Sequence, residues 1–204
     1  MTDTVAKHDR EIVPAVRAAL LRHRSVLGVE LVGSRADGRP VPLSDWDFVV
    51  RVEDFRAVAA DLPSLVSGLE PLAQQWDRLG EPSYSCYMLM LAGPRKVDLI
   101  FDTPHTPEPP WTVTRDTLEG IDGHFWDWIL WLASKRQRGE DELVSEQLGT
   151  MTAHLLRPLG VERVPASIEG AIRSYRGARD RLESELHVSV PRRLEAEVLR
   201  VVPI

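Results

Sequence analysis

The stretch Leu31-Val32-Gly33-Ser34-Arg35-Ala36-Asp37-Gly38, followed by Leu43-Ser44-Asp45-Trp46-Asp47-Phe48-Val49-Val50, decides how this chain is read. Trp46 to Val52 is apolar enough for a central strand, with Asp45 and Asp47 at its head. Side chains alternate along a strand, so the two aspartates share one side while Trp46 and Phe48 turn to the other, into packing. Two hard anionic oxygen ligands on one side suit Mg2+. Val29 to Val32 reads as a short strand that enters a turn over Gly33 to Gly38, with one helical turn beginning at Ser34. Glycine lets backbone approach a ligand closely. Free N–H groups and the Ser34 hydroxyl can then cradle a triphosphate. Ser34 also reads as a simple helix N-cap.

A third carboxylate stands in Lys96-Val97-Asp98-Leu99-Ile100-Phe101. Aspartate is out of place in such a strand, and a buried carboxylate needs a partner. A metal shared with Asp45 and Asp47 supplies one. A structural pairing of Asp98 is the competing reading.

Gly-Ser at a strand end, Asp-x-Asp opening the next strand and an aspartate inside a later hairpin strand form an ordered set. In that order they resemble the polymerase-beta-like nucleotidyltransferase superfamily. Residues 28–102 look like its small bacterial branch, which includes the aminoglycoside adenylyltransferases. The resemblance implies a centre with two Mg2+ ions. Asp45 and Asp47 would hold both, and Asp98 would complete the site of the catalytic ion. One ion would activate an acceptor hydroxyl; the other would neutralise the triphosphate of an NTP, ATP by preference. Gly33 and Ser34 would hold the β- and γ-phosphates, and Arg35 would add a charged contact. Some relatives use a separate carboxylate as general base. Asp102, Glu119, Asp127 and His124 are the candidates here, and His124 and Asp127, one turn apart on a helix, share a face.

Outward from this core, Ile12, Val13, Val16, Ala19, Leu20 and Leu27 mark an amphipathic helix over residues 9–27. A second helix is expected over 54–79, broken or kinked by Pro63 and Pro71. Residues 83–101 read as a hairpin turning at Ala92 to Arg95. Pro104, Pro107, Pro109 and Pro110 make a stiff connector. It separates a catalytic domain, 1–104, from a helical acceptor domain, 111–204. There, apolar spacing marks helices around Phe125 to Leu132, Val144 to Leu155 and Ile168 to Leu186, with a short helix after 191. Phe125 to Trp131 is apolar all round, which requires an enclosed helix. The fold class expected is α+β: a nucleotidyltransferase-type mixed sheet of about four strands with flanking helices, then a helical bundle.

The chain has 204 residues, 43% of them hydrophobic and 27% charged, as in ordinary globular proteins. Its one cysteine, Cys86, forbids an internal disulfide and sits in an apolar run. Residues 1–7 lack a signal-peptide core, and no apolar stretch approaches the ~20 residues that span a bilayer. A cytoplasmic protein without a membrane partner is expected. The net charge of -6 disfavours nucleic acid as main ligand and suits a cationic small-molecule acceptor, such as an aminoglycoside-like antibiotic. Two further functions share the motifs: modification of a protein or tRNA in a toxin–antitoxin setting, and a non-catalytic nucleotide-binding scaffold. Oligomeric state is not legible.

Overall fold

The computed structural model describes residues 2–80 and 82–202, and side chains from residue 11 onward. The signal-peptide reading of residues 1–7 therefore lies outside the described side chains. The chain divides into two compact units, residues 1–40 with 45–107, and residues 41–44 with 108–204.

The first unit is built on a five-stranded mixed sheet. Its strands are β1 (Val26–Val32), β2 (Trp46–Val52), β3 (Ala73–Trp76), β4 (Ser85–Leu91) and β5 (Arg95–Phe101), in the order β1-β2-β5-β4-β3. β2 and β5 run parallel; every other pair is antiparallel. Two helices, α1 (Thr2–Leu20) and α3 (Phe55–Leu65), supply the apolar stripes that one sheet face needs. Ile12, Val16 and Leu20 of α1 and Val58 and Leu62 of α3 share a core with Trp46, Phe48 and Val50 of β2 and with Val97, Leu99 and Phe101 of β5. Period-2 burial along β2 leaves Asp47 and Val49 on the opposite face. The short helix α2 (Gly33–Ala36) connects β1 to the loop before β2.

Three expectations need correction. The first helix ends at Leu20, and Leu27 belongs to β1 with its side chain exposed. Its hydrophobicity matched the helical period by accident of spacing. The helix expected over 54–79 starts on an Asp54 cap that accepts from the Ala57 amide at 3.1 Å, but it stops at Leu65. Pro63 lies inside it without breaking it. Glu70 then takes a left-handed turn (φ 51°), Pro71 follows, and β3 begins. This fifth strand has no β-branched residue. It is held by pairing with β4, by the Tyr87 hydroxyl donating to Gln74 Oε1 at 3.2 Å, and by Trp76 packing edge-on to Tyr87.

The second unit is helical: α4 (Leu118–Gln137), α5 (Asp141–Met151), α6 (Ile168–Leu186) and α7 (Arg193–Leu199), with a π-helical turn, Thr152–Leu156, continuing α5. Ser167 caps α6 by accepting from the Gly170 amide at 3.1 Å. α4 is buried without interruption from Ile121 to Leu130. The rings of Phe125 and Tyr175 stack at 3.8 Å between α4 and α6. The architecture is α+β, a mixed sheet with helices followed by a helical C-terminal part. Among the described residues, no helix is long and apolar enough to cross a membrane.

Candidate metal centre

The sheet register brings Asp47 and Asp98 together, and Asp45 stands just before β2. β1 ends with Val32 opposite Asp47, which brings the Gly33 turn alongside the second aspartate. β2 and β5 pair with Asp47 opposite Asp98. One carboxylate oxygen each from Asp45, Asp47 and Asp98 lies within 4.8 Å of the others. Asp98 is buried, and Asp45 and Asp47 are half-buried. Three hard oxygen donors so gathered match the ligand chemistry of a divalent cation such as Mg2+.

Gly33 is required here on two grounds. Its φ of +69° is a conformation that residues with a Cβ rarely adopt. A Cβ there would stand 2.5 Å from Asp47 Oδ2. The chain thus turns tightly against one of the clustered carboxylates. Ser34 follows as the second residue of α2, half-buried. It is not the N-cap: that position is Val32, which makes no side-chain cap. Arg35 stacks its guanidinium 4.0 Å above the Trp46 ring, and its Nε donates to the Asp45 carbonyl at 3.1 Å. Arg35 is therefore tied to the segment that carries Asp45 and Asp47.

Sequence reasoning missed Lys96. Its Nζ donates to both oxygens of Asp98, and both residues are buried, 6% and 9% exposed. The signal was available: Lys96 and Asp98 are two apart on β5, so they share a strand face. The structural pairing read for Asp98 is present, in Lys96, and the same carboxylate belongs to the acidic cluster.

The general-base candidates differ in setting. Asp102 and Glu119 are exposed, whereas His124 and Asp127 are buried on α4. His124 accepts from Trp111 Nε1 at Nδ1, 3.2 Å away, and stacks on Trp128 at 5.4 Å.

A second polar cluster, also unforeseen, lies inside the helical unit. Asp122 Oδ1 accepts from the Tyr175 hydroxyl at 2.6 Å, from Trp126 Nε1 at 3.2 Å and from Arg179 at 3.5 Å. Arg179, 2% exposed, also pairs with Glu195 and with Asp180. Burial outweighs these bonds and pushes the Asp122 carboxyl up to about 6; it raises the Tyr175 phenol well above its ordinary range.

No protein-family model and no curated protein matches the chain. Among solved structures, an aminoglycoside 6-adenyltransferase from Bacillus subtilis superposes over 89% of this chain and 93% of its own, with 12% identity and a TM-score of 0.32. This is a distant likeness to a nucleotidyltransferase and no more. At that TM-score the superposition says nothing about activity.

Proposed function

We propose that the chain is a metal-dependent nucleotidyltransferase that moves a nucleoside monophosphate, AMP from ATP, to a hydroxyl of a small cationic acceptor. The observation that carries this reading is the convergence of Asp45, just before β2, with Asp47 on β2 and Asp98 on β5, one carboxylate oxygen of each within 4.8 Å of the others, beside a glycine turn packed against Asp47.

Asp45, Asp47 and Asp98 would hold divalent ions. Bound there, Mg2+ supplies charge neutralisation for the triphosphate and for the charge that develops during transfer. The chain's own contribution is positional. The β2–β5 register fixes Asp47 and Asp98 relative to one another, and the side-chain-free Gly33 lets the backbone turn pass directly against Asp47. Arg35 steadies the strand entrance through Trp46 and the Asp45 carbonyl. Ser34, next to Gly33, presents a hydroxyl and an amide to the β- and γ-phosphates. The net charge of -6 favours approach of a cationic acceptor and opposes a polyanionic one.

The test is to incubate the protein with Mg2+, ATP and a panel of polyhydroxylated amines, aminoglycosides included, and to look for an AMP adduct by mass spectrometry. Asp45→Asn should abolish the adduct. An adduct formed at full rate by Asp45→Asn sinks the mechanism.

A further inference from the structure

Resting on the metal-centre reading, we propose that Lys96 is a built-in cation of that centre. It holds Asp98, so that the first divalent ion needs only Asp45 and Asp47, and a second ion using Asp98 must displace the ammonium. Lysine is almost never buried unless paired, and the Lys96 ammonium meets both oxygens of one carboxylate of the cluster. An ion that takes Asp98 as ligand has to break this charge-assisted contact. It also has to tolerate an ammonium in the same pocket, a like-charge repulsion that is strong where water is sparse. Three carboxylates and one ammonium leave two formal negative charges, which a single divalent ion balances. Lys96 is thus a positioning residue: it keeps Asp98 in place beside Asp47 when no ion is bound and weakens the second ion when one is.

The proposal is tested by titrating the full chain with Mn2+ in a calorimeter, without nucleotide. The wild type should bind one ion, with a second weaker by on the order of tenfold or more. Lys96→Met should tighten the second ion by about tenfold, and Lys96→Arg, which keeps the positive charge, should leave the second ion the weaker one. Lys96→Met strands a buried carboxylate and can unfold the chain. The charge-neutral double change Lys96→Met with Asp98→Asn covers that case: it should keep the first ion within about threefold of wild type and lose the second. A Lys96→Met isotherm superimposable on wild type overturns the proposal, as does a double variant whose first ion weakens about tenfold. Asp45→Asn separates the two layers. If it loses the first ion while Lys96→Met changes nothing, only the role of Lys96 fails. If it binds Mn2+ like the wild type, or if the wild type binds none, the metal centre fails and the role of Lys96 with it.

Discussion

Gly33 shows how one residue can be constrained twice. A side chain there would need a rare positive φ and would press on Asp47 Oδ2. Gly33→Ala should therefore cost about 1–2 kcal/mol of stability, read as a lower denaturation midpoint. It should also lower nucleotide transfer more than stability accounts for, because Asp47 has to move aside. At the same scale, Asp47→Asn removes a charge but little volume. Transfer should fall by on the order of a thousandfold or more, several kcal/mol of transition-state stabilisation, with the circular-dichroism melt essentially unchanged. The aspartates were the most legible part of the site: alternation along β2 turns Asp47 away from Trp46 and Phe48, and Asp45, read as part of that strand, lies just before it. Lys96 was harder to see: sequence shows that it shares a face with Asp98, but not that its ammonium is buried as well, and burial is what forces the pair together.

At the scale of elements, α4, α6 and α7 are tied by a buried network that joins Asp122, Tyr175, Arg179 and Glu195. The Asp122 carboxyl titrates near 6 in the folded chain against 3.8 as its ordinary value. The folded state then holds that proton more tightly than the unfolded state. The associated stability is fully present below about pH 4 and is lost as pH rises to about 6; a rise of this size is on the order of 3 kcal/mol. Glu169 and Glu183, held below the usual range by Arg136 and Arg192, act in the opposite sense, losing stability as pH falls. Thermal melts of wild type and Asp122→Asn between pH 4 and pH 6 isolate the first effect: the wild type should lose stability relative to the variant across that window. Tyr175→Phe deletes one donor to a buried carboxylate and should cost about 1–3 kcal/mol. The helices themselves were legible from apolar spacing. The network was not, since Asp122 and Tyr175 are far apart in sequence and each alone looks like an ordinary helix residue. β3 escaped for a related reason. Ala73-Gln74-Gln75-Trp76 has little strand character of its own, and its conformation comes from β4 beside it and from the aromatic contacts of Trp76.

At the scale of the whole molecule, the α+β layout follows the order of the elements: the last strand ends at Phe101, and the regular structure from Leu118 onward is helical. The acceptor is the least legible feature. The motif-bearing strands say where a metal and a triphosphate would sit, whereas the helical half carries burial patterns and no chemical signature of a ligand. Only the charge of -6 bears on it, and it predicts that transfer to a cationic acceptor weakens as salt rises; KM measured against ionic strength checks this.

The central claim is that Asp45, Asp47 and Asp98 form the centre of a nucleotidyl-transfer reaction. One assay tests it most directly: following ATP labelled at the α-phosphate, and in parallel ATP labelled at the γ-phosphate, with Mg2+ and the acceptor panel, in wild type and Asp47→Asn. The account predicts α-label on the acceptor, pyrophosphate released in equal amount, dependence on Mg2+, and loss of both products in the variant. Transfer of the γ-label with release of ADP, or undiminished α-label transfer by Asp47→Asn, would contradict it.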